Sequence, residues 1–411
     1  MRRRQRPPVD WDGCNSGKIV EFRVNKSTGG SQRRASVAVV GNGQFVIAWE
    51  SDGSGCDQFD IVAQAFNAGG STSGSEYKIN GKTTLTQKLP WLTELQKEQF
   101  VAVWESELQG GADSFDIAAR LMSFPGTPVA AEFKVNHHTA DYQGNPRAAV
   151  FGDGGGFVVV WDSDNQDGSV AGVYARRYSA TGTAQENMEF QANTYTTGWQ
   201  GRPAAATCLD GSTQIFWESD GQDGGTYGVY GQGILGSGAF FQTEYKVNTT
   251  GAGDQSGPAA AGLDTCGVLV AWASVSPGEA TSAIASQLLT AAGVKDGSEV
   301  LVSPYATAAA GGVAAVYQPK GGFVVAFHRC AKTAPDGTGC DVYFQRLDAA
   351  GKIVGPEVQV NLHTTSHQRW PAVAAFQNGS FVVVWESVEQ DGNEEGVYAQ
   401  RFTKDGTRIY H

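Results

Sequence analysis

The sequence has no apolar segment of the length that a membrane-spanning helix needs, about 20 residues. It is also short of basic residues, since 30 Lys and Arg stand against 42 Asp and Glu, which gives a net charge of -12 at pH 7. A protein that binds nucleic acid neutralises phosphates with a basic surface. These two shortages argue against a membrane span and against a nucleic-acid partner.

The sequence also lacks the common short motifs that indicate a zinc site or a catalytic nucleophile. The six cysteines form no CxxC pair, which disfavours a zinc site. None of the six histidines lies in an HExxH motif, and there is no GxSxG motif for a nucleophilic serine. The sequence therefore leads us to expect a protein that is not an enzyme.

What the sequence does have is one segment that recurs seven times. Residues 381–387 are its clearest copy, an apolar run that ends in an aromatic residue, an acid and a serine. The aromatic residues are 55 to 58 positions apart along the chain. They are Trp49, Trp104, Trp161, Trp217, Trp272, Phe327 and Trp385. A fixed period of this length is typical of solenoids, propellers and arrays.

Each repeat predicts four short strands joined by turns, as in residues 200–248. The second strand is apolar at successive positions, for example over residues 158–160, and this indicates a strand covered on both faces. Four-stranded sheets that are covered on both faces by their neighbours are the blades of a β-propeller. We therefore predict an all-β, seven-bladed β-propeller.

The two ends of the chain predict how the ring closes. The last repeat stops after its third strand, whereas residues 19–25 supply a spare strand ahead of the first repeat. We predict that this N-terminal strand completes the last blade and removes an exposed sheet edge. The predicted organisation is an irregular basic tail over residues 1–16 and a single propeller domain over residues 17–411.

The cysteines are even in number and predict disulfides. Cys330 and Cys340 flank one loop, and Cys208 and Cys266 follow the first strands of successive repeats. Elimination then leaves Cys14 with Cys56. Disulfides persist in oxidising compartments, so we expect an extracellular or cell-surface protein rather than a periplasmic one. The basic first residues are followed by no apolar segment, so they are not a complete signal peptide.

The repeats at residues 157–168, 381–387 and 396–402 resemble a repeat common in large secreted bacterial proteins, which are often adhesin-like and calcium-associated. The resemblance extends from about residue 17 to residue 411. It implies a secreted propeller with a binding or surface role, and it implies no catalytic residues.

Polar, glycine-rich loops follow the second strands. Carboxylates two and three residues apart in such loops can surround Ca²⁺, which takes about six to eight oxygen ligands, so calcium is the candidate cofactor. The alternative is that Asp, Asn and Gly build turns and cap backbone groups. The candidate calcium ligands are Asp162, Asp164, Asp167, Asp220, Asp223 and Asp391.

An acid follows the aromatic residue in five repeats. These acids are Glu50, Glu105, Asp162, Glu218 and Glu386. A ring of carboxylates can attract a cation or a basic partner. A position that recurs in nearly every blade is more simply one that every blade needs, so we expect each acid to bond the neighbouring loop between blades.

The sixth repeat departs most from the pattern. It has Phe327, His328 and Arg329 where the others have Trp, an acid and Ser, and its loop is longer and flanked by two cysteines. A rigid loop lowers the entropy cost of binding a partner. The alternative is that the disulfide only compensates for the longer loop. His328 and Arg329 are the candidate binding residues.

The prediction is a binding or structural module that recognises a glycan or another extracellular protein, with calcium as support and a place in a larger assembly. The alternatives are a glycan-active enzyme, a hydrolase or lyase with channel-facing carboxylates, and a pure scaffold. An enzyme needs one asymmetric pocket, with two acids about 5–10 Å apart for hydrolysis. A lectin built from repeats would show several equivalent shallow pockets.

Overall fold

The computed structural model describes residues 21–53, 58–96, 98–107, 114–152, 154–251, 253–275, 282–304, 308–331 and 339–410. This part of the chain forms seven antiparallel sheets, which confirms the all-β, seven-bladed propeller. The predicted tail over residues 1–16 lies outside the described residues. No helix that is long and apolar enough to cross a membrane occurs among the residues that are described.

The blades are numbered from Gln32 in chain order, and each has four strand positions. The fourth position is divided between two short strands in blade two and is filled by the N-terminal strand in blade seven. Blade one has β2 (Gln32–Val40), β3 (Gln44–Ser51), β4 (Asp60–Phe66) and β5 (Thr72–Lys78). Blade two has β6 (Gln87–Gln96), β7 (Gln99–Glu107), β8 (Phe115–Ser123) and the short β9 (Thr127–Pro128) and β10 (Phe133–Lys134). Blade three has β11 (Gln143–Val150), β12 (Gly156–Asp164), β13 (Ala171–Ser179) and β14 (Phe190–Gln191). Blade four has β15 (Gln200–Thr207), β16 (Thr213–Asp220), β17 (Tyr227–Ile234) and β18 (Tyr245–Lys246).

The last three blades follow the same plan. Blade five has β19 (Gln255–Gly262), β20 (Val268–Val275), β21 (Ser282–Leu289) and β22 (Val300–Ser303). Blade six has β23 (Ala308–Gln318), β24 (Gly322–Ala331), β25 (Cys340–Leu347) and β26 (Ile353–Gln359). Blade seven has β27 (Gln368–Ala375), β28 (Phe381–Val388), β29 (Glu395–Phe402) and, from the other end of the chain, β1 (Glu21–Arg23).

The ring closes as predicted. Strand β1 pairs antiparallel with β29, with Phe22 opposite Ala399. The Val397 amide donates to Asn25 Oδ1 at 2.8 Å, which continues the contact past the end of β1. The first strands of neighbouring blades contact one another in a closed cycle around the ring, since β27 of blade seven also contacts β2 of blade one. The seven first strands therefore surround a central channel.

The apolar core lies between the blades, where the second strand of each blade is covered on both faces. Trp49, Trp104 and Trp385 are almost fully buried, and in five blades the indole Nε1 donates to the Gln that opens the first strand, as Trp104 does to Gln87 at 2.9 Å. In blade six Phe327 replaces the Trp and Ala310 replaces the Gln. The donor and the acceptor are thus lost together, so blade six keeps no unpaired partner at this position.

Every first strand carries a bulge at the same place, opposite the aromatic residue of the second strand. One residue of each bulge has a positive φ, and we call it the bulge residue. The bulge residues are Arg34, Leu89, Asn145, Arg202, Gly257, Gly312 and Trp370. Bulky side chains adopt this conformation at a cost of about 1–3 kcal/mol, and such strain is concentrated at functional sites. Bulges also re-aim side chains, here at the end of the channel.

Candidate functional site: the channel mouth

The channel mouth comprises the bulge residues, their neighbours in the first strands, and the residue that follows the aromatic in each second strand. Backbone pairing places this end of the channel beside the loops between blades, because Asp164 N donates to Tyr142 O and Val388 N donates to His367 O, both at 2.9 Å. The loops that follow the second strands therefore share a face with the connections between blades.

Four of the five predicted acids are held by the next blade. Each accepts the backbone N–H of the next bulge residue. The pairs are Leu89 N to Glu50 at 2.7 Å, Asn145 N to Glu105 at 2.8 Å, Gly257 N to Glu218 at 2.5 Å and Arg34 N to Glu386 at 3.1 Å. The acids therefore join blades as expected, although they bond the bulge and not the loop between blades.

The same four acids each have a basic partner. The ion pairs are Arg33 with Glu50 at 2.9 Å, Lys88 with Glu105 at 3.4 Å, Arg202 with Glu218 at 3.1 Å and Arg369 with Glu386 at 2.6 Å. The carboxylates are buried, whereas the cations reach partly into solvent. A buried charge is tolerated when it is paired and hydrogen-bonded, and these four acids meet both conditions.

Asp162 is the exception among the five acids. Its side chain is one methylene shorter, and it accepts a hydrogen bond from Asn145 Nδ2 at 3.1 Å. Its Oδ1 atom is buried without a hydrogen-bond partner, and none of the ion pairs among the described residues involves it. Burial, with a smaller contribution from the charge of Glu105, raises the pKa of Asp162 to about 7. Asp162 is thus an acid poised to exchange a proton near neutral pH.

Two arginines at the channel mouth have no carboxylate partner within ion-pair distance in the described part of the chain: Arg34 and Arg147. The Arg34 guanidinium lies 3.9 Å from the Trp370 ring centroid, and that of Arg147 lies 4.7 Å from the Trp91 ring centroid. Burial, together with the charge of Arg34, lowers the pKa of Arg147 to about 10. Sequence reasoning missed both arginines, because it treated the first strands only as small-residue strands.

His328 occupies the position of the acid in blade six. Its Nδ1 faces the backbone N–H of the bulge residue Trp370 at 3.4 Å, and its ring lies edge-on to the Trp370 indole. Burial and the charges of Arg369 and Arg34 lower the pKa of His328 to about 4, so the ring is neutral at pH 7. His328, one of the two predicted binding residues, therefore belongs to the channel mouth.

Arg329, the other predicted binding residue, faces away from His328, as adjacent residues of a strand do. It donates to Ser303 Oγ at 2.8 Å and pairs with Glu357, and it stacks on Tyr343. The bond to Ser303 joins blade six to blade five, whereas Glu357 and Tyr343 belong to blade six itself. The structure therefore does not bring Arg329 together with His328.

The loop aspartates build turns in the described residues. Asp167, Asp223 and Asp391 each accept an N–H from two residues further along, at 3.0, 3.1 and 3.4 Å. Their other oxygens face the fourth strand, where Gln191, Lys246 and Asn25 donate to them. These contacts match the turn-building alternative for these three, and calcium binding by the six candidate aspartates, including Asp164 and Asp220, stays a prediction.

Two of the three predicted disulfides are present, between Cys208 and Cys266 and between Cys330 and Cys340. Cys14 and Cys56 lie outside the described residues. The first of these bridges also accounts for the one group of three potential metal ligands found in the described part of the chain, Cys208, Asp210 and Cys266, because bridged cysteines do not supply thiolates.

A groove between blades six and seven is a second concavity on the same face. It is lined by His363, Thr365 and Glu389, and the His363 ring bonds the Thr365 hydroxyl at 2.6 Å. No ion pair found in the described residues involves these side chains. The perturbed groups converge instead at the channel mouth, where we place the candidate site.

No protein-family model matches the chain, and no curated protein matches it in sequence. Solved structures share its architecture. A Penicillium chrysogenum α-L-arabinanase, complexed with arabinobiose, has a TM-score of 0.50 and 13% identity and covers 93% of this chain and 98% of its own. Polysaccharide lyase Uly1 has a TM-score of 0.52 and 10% identity, with 89% of each chain covered. The GH93 α-L-arabinofuranosidase of Fusarium graminearum has a TM-score of 0.52 and 9% identity, with 93% of this chain and 97% of its own covered.

These identities are low, so the likeness shows a shared fold. It nevertheless contradicts the prediction that the chain is not an enzyme. That prediction used the lack of catalytic motifs, whereas these propellers of the same fold include two arabinan-related glycosidases and a polysaccharide lyase. In a propeller, catalytic groups come from different blades, so a short sequence motif is not required.

Proposed function

We propose that the protein is a glycan-active enzyme whose active site is the channel mouth, with Asp162 as the group that transfers a proton. The observation that carries the proposal is the buried Asp162 Oδ1, which has no hydrogen-bond partner in a ring whose other four acids are all paired. The two disulfides in the described part of the chain support an extracellular place of action.

The chemistry of this site follows from the pKa of Asp162. A general acid works best when its pKa lies near the working pH, and burial raises the pKa of Asp162 to about 7. The protonated form can donate to the oxygen of a glycosidic bond that is breaking. Glycan-active enzymes commonly keep one carboxyl group protonated in this way and a second one ionised.

Glu105 is the candidate for the ionised partner. It accepts hydrogen bonds from Tyr142 Oη and from Asn145 N, both at 2.8 Å, and it pairs with Lys88. Burial raises the pKa of Glu105, but these three donors oppose the shift. Asp162 thus has a single donor, whereas Glu105 has two hydrogen-bond donors and a lysine. This difference favours the protonated form of Asp162 and the ionised form of Glu105.

The channel mouth is also asymmetric, as an enzyme site must be. Blades seven, one, two and three contribute Trp370, Arg34, Trp91 and Arg147. Blades five and six contribute the glycines Gly257 and Gly312 at the bulge. Several equivalent pockets, the arrangement expected of a repeat lectin, would need the same residues in every blade.

The test is turnover of a panel of polysaccharides that includes arabinan, sialylated glycans and uronate-containing polymers. New reducing ends report cleavage, and ultraviolet absorbance of an unsaturated uronate separates elimination from hydrolysis. Asp162→Asn is expected to lower the rate by about 100-fold or more, because positioned general acids contribute about 10²–10⁴-fold. Asp164→Asn, two residues further along, is the matched control and is expected to keep the wild-type rate. The proposal fails if the wild-type protein cleaves none of the panel, or if a folded Asp162→Asn variant is as active as the wild type.

A further inference from the structure

We infer that the glycan bound at the channel mouth is anionic, and that Arg34 and Arg147 together hold its acidic group. This inference rests on the proposed function for the location of the site, but not on the reaction. The ligand class is a polysaccharide that carries carboxylates, as uronic acids do, or sulfates, since both groups present oxygen acceptors to a guanidinium.

The Arg34 guanidinium is held by an aromatic ring and has no anionic partner among the described residues. The backbone N–H of Arg34 is used by Glu386, but no described carboxylate pairs with its guanidinium. The guanidinium instead lies on the face of Trp370, with 3.9 Å from its central carbon to the ring centroid. A stacked guanidinium keeps its N–H groups in its own plane, where they can reach an acceptor beside the ring.

Arg147 repeats this arrangement two blades further around the ring. It lies over Trp91, and one of its N–H groups donates to Pro146 O at 2.9 Å. Because a guanidinium has five N–H donors, most of those of Arg147 have no protein acceptor in the described residues. An arginine held by an aromatic face but left without an anion is arranged for recognition, because its position is fixed and its donors are available.

The two arginines are close enough to affect each other, since the charge of Arg34 lowers the pKa of Arg147. The acids nearby compensate only partly. Glu386 and Glu50 favour the charged form of Arg34, and Asp162 and Glu105 favour that of Arg147. Those glutamates already have their own cations, and Asp162 is only partly ionised near neutral pH. An anion between the two guanidinium groups would supply the missing charge.

The other cations of the channel mouth show why these two stand apart. Arg33, Lys88, Arg202 and Arg369 each have a carboxylate within 4 Å. Arg202 is even a bulge residue, as Arg34 is, but it is paired with Glu218. The overall charge of -12 repels a polyanion at long range, so recognition of an acidic glycan has to come from this local pair.

The experiment measures affinity by calorimetry for three polymers: polygalacturonate, its carboxyl-reduced form, and a sulfated galactan. The wild-type protein is compared with Arg34→Met, Arg147→Met and the control Arg346→Met, whose guanidinium donates to Lys404 O at 3.1 Å outside the channel mouth. Circular dichroism and the melting temperature check that each variant is folded. We expect Arg34→Met and Arg147→Met each to weaken binding of an acidic polymer by about 10- to 100-fold, the usual range for a hydrogen bond to a charged group. Arg346→Met is expected to bind like the wild type, and the carboxyl-reduced polymer is expected to bind weakly to every variant.

Lysine variants at the same positions keep the charge but lose the planar pair of donors. Arg34→Lys and Arg147→Lys are therefore expected to bind with intermediate affinity. Preference for polygalacturonate or for the sulfated galactan identifies the acidic group. Equal binding of the neutral and acidic polymers, or unchanged binding by folded Met variants, would overturn the inference.

The outcomes also separate this inference from the proposed function. Tight binding of an acidic polymer without any cleavage contradicts the enzyme and leaves the arginine pair in place. Cleavage of a neutral polymer that Arg34→Met and Arg147→Met do not slow contradicts the arginine pair and leaves the enzyme in place.

Discussion

The two sides of the channel mouth have the same backbone bulge in every blade but differ in the side chains at and beside the bulge. On the side of blades seven, one, two and three, the bulge residues include Trp370 and Arg34, and Arg147 lies just beyond a bulge. On the side of blades five and six the bulge residues are Gly257 and Gly312. The repeat thus gives every blade a bulge. The side chain at and beside the bulge decides whether a blade places a functional group at the channel mouth or leaves room there.

The comparison also separates structural acids from functional ones. Glu50, Glu105, Glu218 and Glu386 each bond the next bulge and a cation. Asp162 stands at the same position but bonds neither. Its side chain is one methylene shorter, and its partner across the strands, Gly144, has no side chain, whereas blades one, two and seven have an arginine or a lysine there. These two changes together replace a blade-to-blade connection with an acid that has no cation partner among the described residues.

We expect the largest effect from removing Glu386, which connects blade seven to blade one on the side of the mouth that carries Arg34. Glu386→Ala removes the partner of both Arg34 N and Arg369, and we expect it to lower the free energy of unfolding by about 3–5 kcal/mol, the usual cost of breaking a buried pair. Chemical denaturation measures it. Glu395→Ala, which removes the more exposed partner of Arg369 at 3.3 Å, is the control and should cost less than about 1 kcal/mol. Equal losses would contradict the structural role of Glu386.

The pH dependence of stability tests Asp162 as the unpaired acid. Its pKa is 3.8 when unfolded and about 7 when folded, so the folded state binds the extra proton between these values. Wild-type stability therefore falls, relative to Asp162→Asn, as the pH rises from about 4 to 7, by at most about 4 kcal/mol in total. Denaturation of both proteins across this range measures the difference. A difference that is constant with pH would show that Asp162 is ionised throughout.

Alanine substitutions at the two bulge glycines compare blade five, which has Gly257, with blade six, which has Gly312. A Cβ on Gly312 would lie 2.5 Å from His328 Nδ1, whereas one on Gly257 would meet no atom within 4 Å. Both variants carry the cost of a positive φ, about 1–2 kcal/mol, and Gly312→Ala adds a clash with the half-buried His328 ring. We expect Gly312→Ala to lower the melting temperature more than Gly257→Ala. The reverse order would contradict the position of His328 at the mouth.

The smallest effect concerns the tryptophan that blade six lacks. Trp385→Phe removes the Nε1 donor to Gln368, which lies 3.2 Å away, and leaves a buried amide oxygen unpaired. We expect a loss of about 1–3 kcal/mol. In the double variant Trp385→Phe with Gln368→Ala, which copies blade six, the second substitution should cost less than it does alone. A double-mutant cycle measures this coupling, and additive losses would contradict it.

The fold was predictable because every blade repeats the same signals. The apolar second strands at a fixed spacing gave the blades, and the spare strand around Phe22 gave the closure. The second-strand pattern occurs in all seven repeats, so a single departure such as Phe327 does not hide it.

The candidate site was predicted only in part. Asp162 and His328 were identified because they stand at a repeated position, yet Asp162 was assigned to calcium and Arg329 was grouped with His328. Arg34, Arg147 and Trp370 were missed, since the bulge that aims them depends on a positive φ that bulky residues seldom adopt. The visible signal was a basic or aromatic residue two to four positions after the Gln that opens a first strand.

The most direct test of the channel mouth as the site is a crystal structure of Asp162→Asn with an acidic oligosaccharide bound. The structure is expected to show one sugar at the mouth, with its acidic group between Arg34 and Arg147 and a ring against Trp370 or Trp91. An oligosaccharide in the groove beside His363 and Glu389, or in several equivalent places between blades, would contradict it.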